Sequence, residues 1–391
     1  MNGVKFIREN GGLARQLSGN DHISGLIVYG EADTPKRLVL SANEVDNLSV
    51  TNPVLVYHVQ EFFRINEGAK LYIKGIAGSD SQFTEVKNLQ NFAEGNIRQI
   101  AVCDLVMPAS SLITAVPALQ AIAKELGNQN IPLSILLSVF TTPADIPALV
   151  NLHELNADRV SVVIGQDAAG KGNYLAKALT TPRNISCIGA VLGAVSKANV
   201  QESIGWVEKQ NLVSTAYPKP ADATADMARE LDVLGLTDGS KIRDYTPSQL
   251  QSIHDKGYIF GTKYTGIAGS YLNDSFTAAA LTSDFAYIEN NRTIDKAIRE
   301  VNKVLLPKVS GPAYVDPDTG KIQASTASAL ESICDEVLDQ MVRSGELSGY
   351  KVIINPDQPI LQTSKLEVVL KLVPVGTLRE ITVKIGLTLQ K

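Results

Sequence analysis

With 391 residues, 44% of them apolar and 20% charged, the chain is long enough for two or three domains. Its composition is that of an ordinary globular protein, which excludes a collagen-like or largely disordered chain. The 36 basic and 41 acidic residues leave a net charge of -5, not concentrated in blocks, which argues against nucleic acid as a partner.

No apolar run approaches the ~20 residues of a membrane span, and the opening MNGVKFIREN lacks the apolar core of a signal peptide. The expectation is synthesis in the cytosol and no direct membrane insertion. Three cysteines, Cys103, Cys187 and Cys334, lie far apart and read as reduced, buried thiols.

In the first segment Val4 and Phe6 flank Lys5 in strand-like alternation, and Gly11-Gly12 with SGND form a flexible tether. From 23 to 92, short apolar runs (ISGLIVYG, PVLVYHVQEFF, AKLYIKGIAG) alternate with polar turns and fit strands or short helices in an α/β region. RQIAVCDLV, IPLSILLSVF and RVSVVIG then follow as near-continuous apolar runs, the pattern of parallel strands buried on both faces. Between the first two, PALQAIAKEL from Pro117 to Leu126 predicts a helix ending at Gly127 as a left-handed cap. Between the last two, Thr142 caps and Pro143 opens a second predicted helix carrying Leu149, Leu152 and Leu155. The result is a βαβαβ unit.

Directly after RVSVVIG comes GQDAAGKG, residues 165–172, one residue short of a phosphate-binding loop: Gly165, Gly170 and Lys171 fit, but Gly172 replaces the magnesium-ligating hydroxyl. It is either a degenerate phosphate site or a glycine-rich turn. His22, His58, His153 and His254 form no metal-binding spacing, and no nucleophile elbow, dinucleotide fingerprint or Cys-x-x-Cys occurs, so no catalytic, cofactor or metal site is expected. Trp206 reads as a core or interface anchor.

YTPSQLQSIHDKG predicts a short helix with Thr246 as cap, Pro247 at its first position, Gln249 completing a capping box and Gly257 at the exit. Two longer amphipathic helices follow, at about 292–306 and 327–343. In the first, Arg292, Lys296, Arg299 and Lys303 form one stripe, with Ile294, Ile298, Val301 and Leu305 opposite, so the helix is expected to dock by its apolar side and offer a basic face. The last 40 residues read as strands. In REITVKIGLTLQK, Ile381, Val383, Ile385, Leu387 and Leu389 alternate strictly with polar residues. Such a terminal strand pairs either within its own subunit or with another chain.

The succession YTPSQLQSIHDKGYIFGTKYTGIAGSYLNDSFTA, NNRTIDKAIREVNKVLLP, a second amphipathic helix and a closing REITVKIGLTLQ resembles the contractile tail sheath proteins of phages and related injection systems. PVLVYHVQEFFRIN, ADRVSVVIGQD and ISCIGAVLGAVSKANVQESIGW resemble a prophage branch of that group, so the likeness covers most of the chain. It implies an α/β, overall α+β, fold: an N-terminal arm over 1–20, an outward-facing βαβ-containing domain over 21–244, a tube-facing sheath domain over 245–376 and a C-terminal arm strand over 377–391. It implies a structural, non-enzymatic subunit without cofactor, polymerising as stacked hexameric rings around an inner tube and contracting to drive the tube through a target envelope. Implied partners are further copies of the chain, the inner tail tube protein, and baseplate and terminator proteins. The implied location is the bacterial cytoplasm during assembly and the tail or injection particle afterwards. In that frame Val4, Phe6, Ile381, Val383, Ile385, Leu387 and Leu389 are assembly-arm residues, and Arg292, Lys296, Arg299 and Lys303 face the tube. The rival readings are a nucleotide-binding α/β enzyme using loop 165–172 and a baseplate or tail-terminator component.

Overall fold

The computed structural model describes residue 17 and residues 19–179, 184–215 and 228–387. Val4, Phe6 and Leu389 lie outside the described residues. The chain forms two compact units, 1–299 and 300–391. Residues 245–299, expected with the second domain, belong to the first unit because they extend its sheet: Ile259 bridges Val163, and Ala278 bridges Ala157.

The first unit is built on six strands and their flanking helices. In chain order these are β1 (Ser24–Tyr29), β2 (Arg37–Val39), α1 (Pro53–Ile65), β3 (Leu71–Ile76), α2 (Thr84–Phe92), β4 (Gln99–Pro108), α3 (Leu112–Asn128), β5 (Ser134–Phe140) and β6 (Val160–Val163). The strand order is β2-β3-β1-β4-β5-β6, all parallel except β2, with Leu26 opposite both Ile73 and Ala101. Successive residues of each strand feed opposite cores: Leu26, Val28, Ala101 and Cys103 enter one, and Ile27, Tyr29, Ile100 and Val102 the other. This two-sided burial is why the strands read as continuous apolar runs.

Two predicted elements differ from their expected form. α3 starts at Leu112, so Pro117 lies inside it, and the carbonyl that Pro117 leaves without an amide belongs to the exposed Ile113. The helix runs through Gly127, and the left-handed residue is Asn130. The expected helix after Thr142 is instead a 3₁₀ turn over Pro143–Ala148. Its capping box with Asp145 forms as the sequence requires, but a second proline, Pro147, denies the backbone a continuing α-helical ladder.

β7 (Gly165–Asp167), α4 (Lys171–Ala178), α5 (Ile188–Lys197), β8 (Leu234–Leu236), α6 (Pro247–Asp255), β9 (Gly261–Thr262) and β10 (Tyr271–Leu272) complete this unit. α5 is buried from Ile188 to Ser196 and crosses α1 closely. Gly189 and Gly193, one turn apart, permit this: a Cβ at Gly189 would lie 2.5 Å from the His58 carbonyl oxygen, and one at Gly193 would lie 3.0 Å from that of Phe62. α6 has the predicted bounds, with Thr246 and Gln249 exchanging bonds and Gly257 at φ 84°.

α7 (Ile288–Leu305) carries the boundary between the units. The second unit continues with α8 (Ala324–Arg343), β11 (Leu347–Ile353), α9 (Ile360–Thr363) and β12 (Val369–Pro374). β11 and β12 form an antiparallel pair, Tyr350 opposite Leu372, against which α8 packs, burying Cys334, Leu338 and Met341.

Candidate functional site

The loop resembling a phosphate site is filled by the protein's own carboxylates. Glu230 Oε2 accepts from the Lys171 amide at 2.7 Å, its Oε1 accepts from the Tyr57 hydroxyl at 2.5 Å and the Gly172 amide at 3.3 Å, and Asp167 Oδ2 accepts from the Gly170 amide at 2.5 Å. These are the main-chain donors a nucleotide phosphate would require, at the N-terminus of α4, where negative charge is favoured. A Cβ at Gly172 would come within 2.5 Å of the Tyr57 oxygen, so this glycine exists to admit Tyr57, not a phosphate. The Lys171 ammonium bonds to Gln60 Oε1. Burial pushes the Glu230 carboxyl up, reinforced by Glu61 and Asp167; burial also raises Asp167, against the pull of its amide bonds. The loop is therefore a structural junction, and Glu230, 173 positions from Tyr57, had no local sequence signal.

The basic stripe of α7 is turned inward, a correction to the expected orientation. Arg292 is buried and donates Nη1 to the carbonyls of Ala198 and Asn199 at 3.1 and 3.2 Å. Lys296 and Arg299 pair with Asp21 at 3.0 and 2.5 Å. Lys303 alone of the four is exposed, at 78%, beside Glu300 at 4.0 Å. The apolar side does not dock as a whole either: Val301 is buried but Ile298 is exposed, while the polar Asn291, Arg292 and Asp295 are buried. The cause is polar: the first unit supplies Asp21 for the stripe and Arg159, which meets Asp295 at 2.6 Å. Burial raises the Asp21 carboxyl, but Lys296 and Arg299 outweigh it and hold the group below its usual range. Sequence reading missed Asp21 because it sits in a stretch, SGND, that looks like a plain tether.

The other candidates are structural. His153 and His254 both pack on Phe276, and His58 is fully buried with neither ring nitrogen hydrogen-bonded. Trp206 lies at the surface with Lys209 over its ring, 4.3 Å from the centroid, not in the core. The three cysteines are free and buried. Among the described residues no cluster could hold a metal ion, and no helix is long and apolar enough to cross a membrane.

The C-terminal segment remains. Residues 375–387 do not join the β11–β12 ladder. Ile381, Val383, Ile385 and Leu387 stand 75%, 71%, 89% and fully exposed. Earlier in the same unit the β11–β12 pair is a sheet of only two strands, with outer edges open among the described residues. An alternating apolar segment without a sheet and a small sheet with free edges are complementary features.

No curated protein matches the chain in sequence. A chain in the six-fold symmetrised cryo-electron microscopy structure of the anti-feeding prophage baseplate is similar over 100% of both chains, at 16% identity and a TM-score of 0.62. The crystal structure of a sheath tail protein from Listeria innocua aligns over 92% of this chain and 96% of that one, at 9% identity and a TM-score of 0.52. The mixed α/β fold expected from the resemblance to tail sheath proteins is the fold observed. The model of the DUF2586 N-terminal domain matches residues 1–276 and that of the DUF2586 C-terminal domain residues 284–391, so the chain belongs to the DUF2586 family.

Proposed function

We propose that the chain is the structural subunit of a contractile tail sheath, assembling as stacked six-membered rings around an inner tube and shortening to drive that tube through an envelope. The observation that carries this reading is the segment Ile381, Val383, Ile385, Leu387, strictly alternating and exposed, in a unit whose sheet has two strands and open edges among the described residues. Strand addition between copies supplies main-chain pairing and one apolar face together. Full burial of these four side chains gives roughly 6–12 kcal/mol before ordering entropy, enough to keep copies joined while their bodies reorient. Head-to-tail contacts of this kind propagate into an open helix.

The filled loop at Gly170–Gly172 removes the main basis for an enzymatic reading. Val4, Phe6 and Leu389 complete the two arms in this proposal. Of the basic stripe only Lys303 is left exposed for a tube; Arg292, Lys296 and Arg299 are committed within the subunit. The tube, baseplate and terminator proteins are the partners, in the cytoplasm during assembly and in the mature tail or injection particle afterwards.

The test is deletion of residues 379–391. Full-length protein at high concentration is expected to form tubes in negative-stain micrographs. The deletion variant is expected to remain monomeric with an unchanged melting temperature when dilute. A large loss of melting temperature would mean that the strand belongs to its own subunit, and the proposal would fail.

A further inference from the structure

The segment leading into β1 is tied down at Asp21 from two directions. The side-chain amide of Gln99, in β4, donates to the Asp21 main-chain oxygen at 3.2 Å. Lys296 and Arg299, three positions apart on one face of α7, grip separate carboxylate oxygens at 3.0 and 2.5 Å. All three side chains are largely withdrawn from solvent, so the contact is not one of the exposed ion pairs that contribute almost nothing.

The same face holds more donors than Asp21 uses. Arg292, four positions before Lys296, is buried with Nη2 lacking any hydrogen-bond partner. Together with Arg98, Gln99, Asp295 and Arg299 it lines a polar cavity beside Asp21, of about 10 Å³, room for a single water. A guanidinium buried with a spare nitrogen is costly unless a ligand or water meets it.

We infer that this face of α7 is a carboxylate receptor built into the fold, that Asp21 is its resident ligand, and that the pairing fixes where the N-terminal arm leaves the body. The receptor sits on the helix that carries the chain from the first unit into the second, so the root of the arm is fastened to that helix. The inference needs only the single chain, and failure of the tube-forming reading would leave it standing.

Formate is the probe, and amide hydrogen exchange at Ile23 and Ser24 in the full-length protein is the measurement. Asp21→Ala is expected to speed exchange at these two amides by about tenfold or more, with no change in the centre of β5. About 0.2 M sodium formate should restore slow exchange, while sodium chloride at equal ionic strength should not, because chloride lacks the two-oxygen geometry. Arg299→Ala should show the same speeding without rescue. Unchanged exchange in Asp21→Ala would overturn the anchoring role, and speeding that formate cannot reverse would reduce the receptor to an ordinary ion pair and overturn the inference.

Discussion

Tyr57 on α1 donates its hydroxyl to Glu230 at 2.5 Å, joining residues 173 positions apart over the N-terminus of α4. Burial, with Glu61 and Asp167 adding to it, raises the Glu230 carboxyl from 4.5 to about 8. The folded chain therefore holds this proton to higher pH than the unfolded chain does. Its contribution to stability is complete below about pH 4.5 and is lost as pH rises through 8. Wild-type protein should lose on the order of 2 kcal/mol between pH 6.5 and 8.5. In Glu230→Gln, where the amide can donate to Tyr57 and its oxygen accept from Lys171, that slope should flatten. Denaturant unfolding at the two pH values decides, and an equal slope in both proteins would remove Glu230 as its source.

His58 acts in the opposite direction. Burial lowers its imidazole from 6.5 to about 3, so the folded chain resists a proton that the unfolded chain accepts. Stability from this group is full above 6.5 and falls as pH drops toward 3. Replacing it with leucine should spare the protein roughly 2 kcal/mol of acid destabilisation between pH 6.5 and 4.5. Urea midpoints at both pH values, read as the difference between wild type and His58→Leu, isolate the effect from the carboxylates. A difference that does not change with pH contradicts the assignment.

Glycines in two helices should respond in opposite ways. Gly189→Ala drives a methyl group into the His58 backbone, and the crossing of α5 over α1 must open, at a cost of about 2 kcal/mol or more. Gly127→Ala in α3 meets nothing within 4 Å and should gain about 0.5–1 kcal/mol from helix propensity. Calorimetric melting of the two single variants distinguishes packing from propensity, since matching shifts would mean that the close crossing is not what Gly189 serves.

Ile385 is 89% exposed in the single chain, so Ile385→Lys should leave dilute stability within about 0.5 kcal/mol of wild type. The same change should raise the concentration needed for tube formation at least tenfold, because a charge would enter the apolar face of the added strand. Sedimentation across a concentration series reads the threshold. An unmoved threshold would show that the face of Ile385 is not buried on assembly.

The parts of the fold that could be read from sequence are those decided locally. β4, β5 and β6 announce themselves because both faces of the strands are apolar, and α6 because its cap, proline and exit glycine lie within a dozen residues. The turn after Thr142 was half legible: its cap is where the sequence puts it, while Pro147 decides the helix type. α7 was misread in orientation because the preference of its polar side is set by Asp21 and Arg159, which are remote in sequence. Glu230 was invisible for the same reason, since a carboxyl group that fills the amides of another loop carries no motif. The C-terminal segment keeps its alternation along its described length, yet residues 375–387 form no strand in the single chain, because a strand needs a ladder to join.

That alternation also limits how an arm can err. Shifting a paired strand by one residue would bring Thr382 and Lys384 to the side meant for Ile381 and Val383, a mistake that exposes every apolar group at once. Only slips by two residues keep the correct side inward, and each such slip displaces the arm by about 6.6 Å along its partner. Mispairing is thus restricted to a few widely spaced alternatives, each leaving an apolar residue overhanging the end. A lattice woven from such strands would carry its own ruler, with rise errors confined to whole steps instead of accumulating as a drift.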